Sequence, residues 1–435
     1  MADLKVSQEN DLGLAGIDGS VEYRVVKSGS TYRQKYQDLL AWINGNVTPA
    51  TPNLQQVLTA GNTTDNNNLY IGLVSGGQTG LSNVGIGVGA LAGGSGGGAV
   101  GYSVGIGEYA GQSDSFNGIA IGYFAGQGMG GTNSVTAIGT NAFRNGSIQN
   151  GIAIGQNAGY YQVNPNGNPT YNTINIGVQA GQYSGGDNNI FIGQATGSGV
   201  NDNYNIGIGF QTSNSNTGNK TIAVGYYASF GNGGLNTIAL GEYAGYYNTG
   251  NDCFFAGTYA GFDISSYNLP NTGSSVIGIG YASAGDNNQN NVIAIGDYAV
   301  LNNRGMEVVG IGFGSMFGNG GDYNIGIGSN ALANCPAPYN VGVGFNAGYL
   351  NTGENDIFIG ASAGDSNTGN FVVGIGNSAG QNNQASNVTI LSNNVLPTFP
   401  DDVVADNWFR SQTLSANCTY FWHDTTLNLI KGYRN

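Results

Sequence analysis

Two pairs of carboxylates have the spacing that bond-breaking would need: Asp187 with Asp202, and Glu307 with Asp322. A glycosidase uses two such groups about 5 to 9.5 Å apart, one to protonate the leaving oxygen and one to attack or to activate water. In a chain that stacks on itself at a short repeat, acids at like offsets in neighbouring coils fall near that range. Both pairs, however, lie among Asn and Gly, where acidic residues are ordinary solvated turn formers. The expectation is therefore no catalytic residue, with a loosely bound cation bridging a pair as the alternative. His423, the single histidine, has no Ser or Cys partner that spacing identifies, so a nucleophilic triad is not expected. Cys253, Cys335 and Cys418 stand far apart with no C-x-x-C pair and read as buried or incidental thiols, neither a disulfide framework nor a zinc site. Phrases such as Gly85-Ile86-Gly87-Val88-Gly89 mimic nucleotide-binding loops, but they lack the following helix and recur too often to be one site. No cofactor and no metal are expected.

The scaffold that would position any of these groups is unusual in composition. Of 435 residues, 78 are glycine and only 8% are charged, yet 40% are hydrophobic, so a disordered glycine-rich linker is a poor description. The net charge of −14 argues against a phosphate backbone as partner, because nucleic-acid binding needs clustered Lys and Arg. Five of the eleven basic residues fall within the first 35 positions, which marks the N-terminal segment as a different module. No apolar run reaches membrane-spanning length, and the start MADLKVSQEND has no basic-then-apolar leader. Neither membrane insertion nor export by the usual route is expected.

An apolar-x-apolar-Gly phrase recurs nineteen times between Gly72 and Gly376, and twelve of the eighteen spacings are sixteen residues. Such self-similarity is the mark of a solenoid. Ile precedes the glycine in fifteen copies, and the position three before the glycine is apolar in every copy but one, Thr136. That alternation predicts a short strand with both apolar side chains on one face. The glycine would serve a sharp corner. Three residues beyond it the side chain is always small: Ala in fourteen copies, otherwise Ser75, Ser283, Ser315, Thr196 or Thr212. A recurring Asn-Thr-Gly at Asn216, Asn248, Asn351 and Asn367 reads as a second turn. The prediction is an all-β chain, a parallel β-solenoid of ~16-residue coils and a rod on the order of 90 Å long. Its core would be little more than the Ile pair and the Ala. The residues between the apolar pair (Gly85, Ala120, Ala153, Ala223, Gly326, Gly374) are often small, which suggests close lateral packing of several rods.

The phrases Ala120-Ile121-Gly122, Ala153-Ile154-Gly155 and Ala294-Ile295-Gly296 resemble the head repeat of trimeric autotransporter adhesins of the YadA type. That resemblance spans about Leu69 to Gly380 and implies a left-handed β-roll in an intertwined parallel homotrimer. The structural repeat residues would then include Ile121, Gly122, Ala125, Ile154, Gly155, Ala158, Ile295, Gly296 and Ala299. Signal peptide, heptad stalk and membrane barrel of those adhesins are not seen. The repeats also resemble the shafts of bacteriophage tail and head fibres, and Asn53 to Thr64 is similar to the linker preceding such shafts. This implies a virion appendage, made in the host cytoplasm and carried on the particle. A surface adhesin, the fibre of a contractile injection apparatus and a capsule depolymerase are the alternatives.

The expected organisation is an N-terminal docking module (1–50), a linker (51–68), the shaft (69–385) and a C-terminal β cap or tip (386–435). Ser20 to Lys27 alternates as a strand, and Tyr36, Leu39, Leu40 and Ile43 follow at helical spacing, giving a small α+β module. Its helix face would dock on other virion proteins or cap the trimer. The last segment predicts a hairpin around Asp424-Thr425-Thr426. It is a trimeric plug or a receptor tip, with Trp408, Tyr420 and Trp422 as contact candidates. Three insertions, Leu91 to Ser103, Tyr160 to Thr173 and Phe262 to Ser275, would emerge as loops, and Tyr160, Tyr161 and Tyr171 are the lateral candidates for a host surface glycan or protein.

Overall fold

Sixteen residues with a glycine at a fixed place can close one turn of backbone and stack it on the next, and the computed structural model shows the chain doing so. Residues 83–92, 102–113, 117–129, 134–164, 166, 168–262 and 270–391 are described in full. Strands Lys5–Val6, Glu22–Lys27, Ser30–Lys35, Leu69–Ile71, Trp408–Gln412, Cys418–Asp424 and Leu429–Arg434 are described by backbone alone. The protein is all-β, a parallel β-solenoid of about eighteen turns, with no helix among the described residues. The expected helix around Tyr36 to Ile43 lies outside them.

Each coil contributes one short strand, and each strand pairs in parallel with its own copy: Ile190 with Ile206, Phe191 with Gly207, Ile192 with Ile208. The ladder runs in this register from Leu69–Ile71 to Val388–Leu391. The last of these strands lies beyond the final glycine of the repeat and pairs Thr389 with Val373. Trp408–Gln412 extends it in parallel, then turns the sheet antiparallel through Cys418–Asp424 and Leu429–Arg434, the expected hairpin. At the other end Lys5–Val6, Glu22–Lys27 and Ser30–Lys35 form an antiparallel sheet.

The corner glycines adopt φ between +125° and +144°, for example +136° at Gly241. A Cβ there would stand 2.6 Å from the carbonyl oxygen of Gly257 in the next coil, so both conformation and space demand glycine. Beyond the corner the backbone alternates hands: Tyr243 (φ +54°), Gly245 (+61°) and Tyr247 (+51°) are left-handed, with Tyr246 and Ala244 between them not so. The alternation aims successive N–H groups along the stack. Tyr243 N–H donates back to Tyr226 O at 2.9 Å, Gly245 N–H forward to Ala260 O at 2.8 Å, and Tyr247 N–H back to Phe230 O at 2.9 Å. Each left-handed non-glycine residue costs about 1–2 kcal/mol, and the saturated backbone ladder offsets it.

The strands are inside out relative to the sequence expectation. The Ile pair points outward, at 36 to 41% exposure in many coils, Ile154 and Ile327 among them. The residue between points inward: Ala120, Ala153 and Ala223 are fully buried, and Gly85, Gly326 and Gly374 are buried too. The small residue is small because a sixteen-residue turn encloses a narrow tube, not because rods pack laterally against it. Thr136, the polar exception, sits partly exposed on the outward face, where a hydroxyl can meet water. The small position after the corner completes the interior: Ala125, Ala158 and Ala299 are fully buried. Its polar variants bond to backbone, Thr212 Oγ1 to Gly225 O at 2.6 Å and Ser315 Oγ to Gly326 O at 2.8 Å.

The second corner is closed by the predicted Asn residues. Asn248 Oδ1 accepts from Gly250 N–H at 3.2 Å, while its amide donates to Gly250 O at 2.8 Å and to Asn232 Oδ1 at 2.9 Å in the coil before. Asn271, Asn287, Asn303 and Asn319 continue this buried amide ladder. Sequence reasoning identified the turn but not the ladder.

Candidate functional site

Each coil presents three surfaces: the strand with its outward Ile pair, the corner segment after the glycine, and the second turn. The Ile ridge is continuous because register is fixed, so each outward side chain lies above its copy. Chemically it can only exclude water.

The corner segment is aromatic. Its first and second positions after the glycine carry Phe210 and then Tyr226-Tyr227, and its fifth position carries Phe230, Tyr246 and Phe262. Tyr227, Tyr243 and Tyr259 stack face to face at 5.3 and 5.1 Å with planes within 5°. Phe230 and Tyr246 lie 5.4 Å apart, and Tyr246 meets Phe262 edge-on at 5.0 Å. The contacts continue through Tyr281 and Tyr298 to Phe313. Burial among these rings pushes the Tyr246 phenol up to about 12, and raises Tyr227 and Tyr243 from their ordinary value, so all stay neutral at physiological pH. Sequence reasoning missed these columns, although aromatics repeating at sixteen residues were their signal.

Of the lateral candidates, Tyr160 and Tyr161 come together, 4.5 Å apart and edge to face, and Tyr183 of the next coil joins them at 6.0 and 6.1 Å. Tyr171 is not in that ring cluster: it pairs with Gln149 in a separate two-stranded sheet, and its N–H donates to Asp187 Oδ1 at 2.9 Å. Arg144 places its guanidinium 4.1 Å above the Phe124 ring. Trp408, Tyr420 and Trp422 lie on the C-terminal strands, where Trp408 pairs with Trp422 across the antiparallel ladder. Tyr36, Leu39, Leu40 and Ile43 lie outside the described residues.

The acid pairs sit one place out of the stack. Asp187 lies over Asn203, whose Oδ1 accepts the Asp187 N–H at 2.6 Å, and Met306 lies over Asp322, whose Oδ1 accepts the Met306 N–H at 2.9 Å. Asp187 and Asp322 thus cap backbone donors of the preceding coil. Burial raises the Asp202 carboxyl from its ordinary range. Glu307 lies beside Tyr323 and raises its phenol. Among the described residues no three His, Cys, Asp or Glu side chains converge as a metal set. Cys253 and Cys335 are buried and unpaired by disulfide, and burial pushes both thiols up to about 11.

Comparison with protein-family models, curated proteins and solved structures gives no match for this chain.

Proposed function

We propose that this chain is a non-enzymatic structural fibre of a bacteriophage virion, tail or head, that mediates adhesion to the bacterial host surface as a parallel homotrimer. One observation carries the reading: the outward Ile ridge along the shaft. Monomeric soluble proteins rarely leave a contiguous apolar stripe of this length in water, and a fixed-register ridge fits its own copy best. Ala-Ile-Gly repeats of the kind found in trimeric fibre shafts support the trimer over other assemblies. The N-terminal module would join other virion proteins, and the tip or the lateral aromatics would meet a host glycan or protein.

Light scattering on the purified chain tests the assembly, with an expected mass of three times 44.6 kDa. A single-chain mass at micromolar concentration overturns it. Gold-labelled antibody against the chain should decorate appendages of phage particles; particles that carry none of it would remove the virion assignment.

A further inference from the structure

Among the gaps in the aromatic columns, one falls over three consecutive coils cornered by Gly312, Gly328 and Gly344 and opens a cleft. At the fifth position after the corner these coils carry Phe317, Ala333 and Tyr349; at the first, Phe313, Ser329 and Phe345. The middle coil therefore has no ring where both its neighbours have one. Gly314 removes a further side chain beside Phe313. The result is an open cleft of about 530 Å³, walled by Phe313, Phe317 and Tyr349 with Ala333 at its floor.

Stacked coils rise about 4.8 Å each, so the backbones carrying Phe317 and Tyr349 stand roughly 9.6 Å apart. One flat ring placed midway would lie about 4.8 Å from each wall. The chain's own rings stack at comparable separations, 5.4 Å for Phe230 and Tyr246. The two-coil step from Phe317 to Tyr349 thus has the backbone spacing that one intervening ring needs.

The remaining lining is Tyr298 of the preceding coil and three neutral amides, Asn330, Asn334 and Asn346. Asn330 donates to Asn346 Oδ1 at 3.2 Å, while the exposed Asn334 side chain has no hydrogen-bond partner among the described residues. No charged residue lines the cleft. An occupant with a ring face and a rim of hydroxyls would satisfy both kinds of group. An apolar side chain from a protein partner would instead desolvate the Asn334 amide with nothing to pair it. A nucleobase would bring phosphate towards a chain of net charge −14. We infer that the cleft between Phe317 and Tyr349 over Ala333 is a binding site for a neutral sugar ring of an oligosaccharide. The site deepens the adhesion reading by naming a place and a ligand class. It does not require that three chains assemble.

The experiment titrates the full chain with malto-, cello- and chito-oligosaccharides of six sugars, followed by saturation-transfer NMR and calorimetry. Ala333→Phe puts a ring at the gap in the fifth-position column, and Phe317→Ala removes one wall. Wild-type chain should bind at least one of the three probes, with affinity unchanged by added salt. Both variants should lose at least about tenfold, the worth of one ring contact. Circular dichroism and mass by light scattering should match wild type for Ala333→Phe. The inference fails if none of the three probes binds at millimolar concentration, or if Ala333→Phe binds as well as wild type. It also fails if that substitution changes the oligomeric mass, which would make this face an interface between chains. A monomeric wild-type chain that still binds would remove the trimer and leave the site.

Discussion

At the residue scale, the most constrained ionisable group is Asp356, fully buried in the column that precedes the strand. Its Oδ1 accepts the Val372 N–H at 2.7 Å, and its Oδ2 accepts from Asn351 and Asn367 at 3.2 and 3.0 Å. Burial nevertheless outweighs these donors and pushes the carboxyl up to about 6 from 3.8. The folded chain therefore holds a proton between about pH 4 and 6 that the unfolded chain has released, so this contribution is full below pH 4 and is lost as pH rises through 6. It amounts to at most about 3 kcal/mol. One coil earlier the same place is held by Asn340, whose Oδ1 accepts the Asp356 N–H at 2.8 Å and whose amide reaches Ala337 O and Gly353 O. Asp356→Asn can repeat that pattern. Chemical unfolding at pH 7 should show the variant more stable by about 1–3 kcal/mol, with less loss than wild type between pH 4 and 6.5. Equal pH profiles would mean the carboxylate is solvated after all. Cys335 interrupts the amide ladder sixteen residues from both Asn319 and Asn351, and accepts from Asn340 through sulfur at 3.4 Å, which explains a buried thiol without chemistry.

At the element scale, neighbouring positions share one interior volume, and glycines record how it is divided. Where the inward strand residue is Phe, the fourth position after the corner is glycine: a Cβ on Gly364 would stand 2.2 Å from the Phe358 ring, and one on Gly197 2.2 Å from Phe191. In some coils where the inward residue is glycine, that fourth position is large, as with Gly310 and Met316 or Gly326 and Leu332; where both are glycine, as at Gly342 and Gly348, the space is filled by Leu332 and Phe358 of the neighbouring coils. Phe358→Ala should thus empty a tube that cannot collapse, because stacked backbone fixes its width. A loss of about 3–5 kcal/mol is expected, read as a lower unfolding midpoint, with Phe358→Leu costing clearly less. An Ala variant as stable as Leu would show that the tube does collapse. The complementarity was legible in the sequence as Phe-x-Gly-x-x-x-Gly at Phe191, Phe255 and Phe358, but it carries meaning only once both positions are known to face inward.

At the scale of the whole molecule, the inverted strand makes a testable contrast between coil and assembly. Ile208 and Ile327 are each about two-fifths exposed in the single chain, so Ile→Glu at both should leave the coil's circular dichroism intact. In a trimer the same carboxylates would be buried unpaired, at several kcal/mol each. The double variant should therefore run as a folded single chain where wild type runs as three. A variant that stays trimeric would place the chain-to-chain contact elsewhere.

The amino-acid order alone determined the period, the parallel register and both corners, because a glycine forced to positive φ and an Asn turn recurring at sixteen residues leave the backbone one way to close. It did not determine which strand face looks inward. Residues such as Ile238, Ala239 and Leu240 are apolar on both faces, and periodicity cannot rank one apolar face against another. Closure of the coil decided it: the tube is too narrow for two columns of Ile, so Ala, Gly and an occasional compensated Phe go inside and the branched side chains are turned out. The aromatic cleft likewise exists only in the stack, where Phe317, Ala333 and Tyr349, each sixteen residues apart, become neighbours along one line.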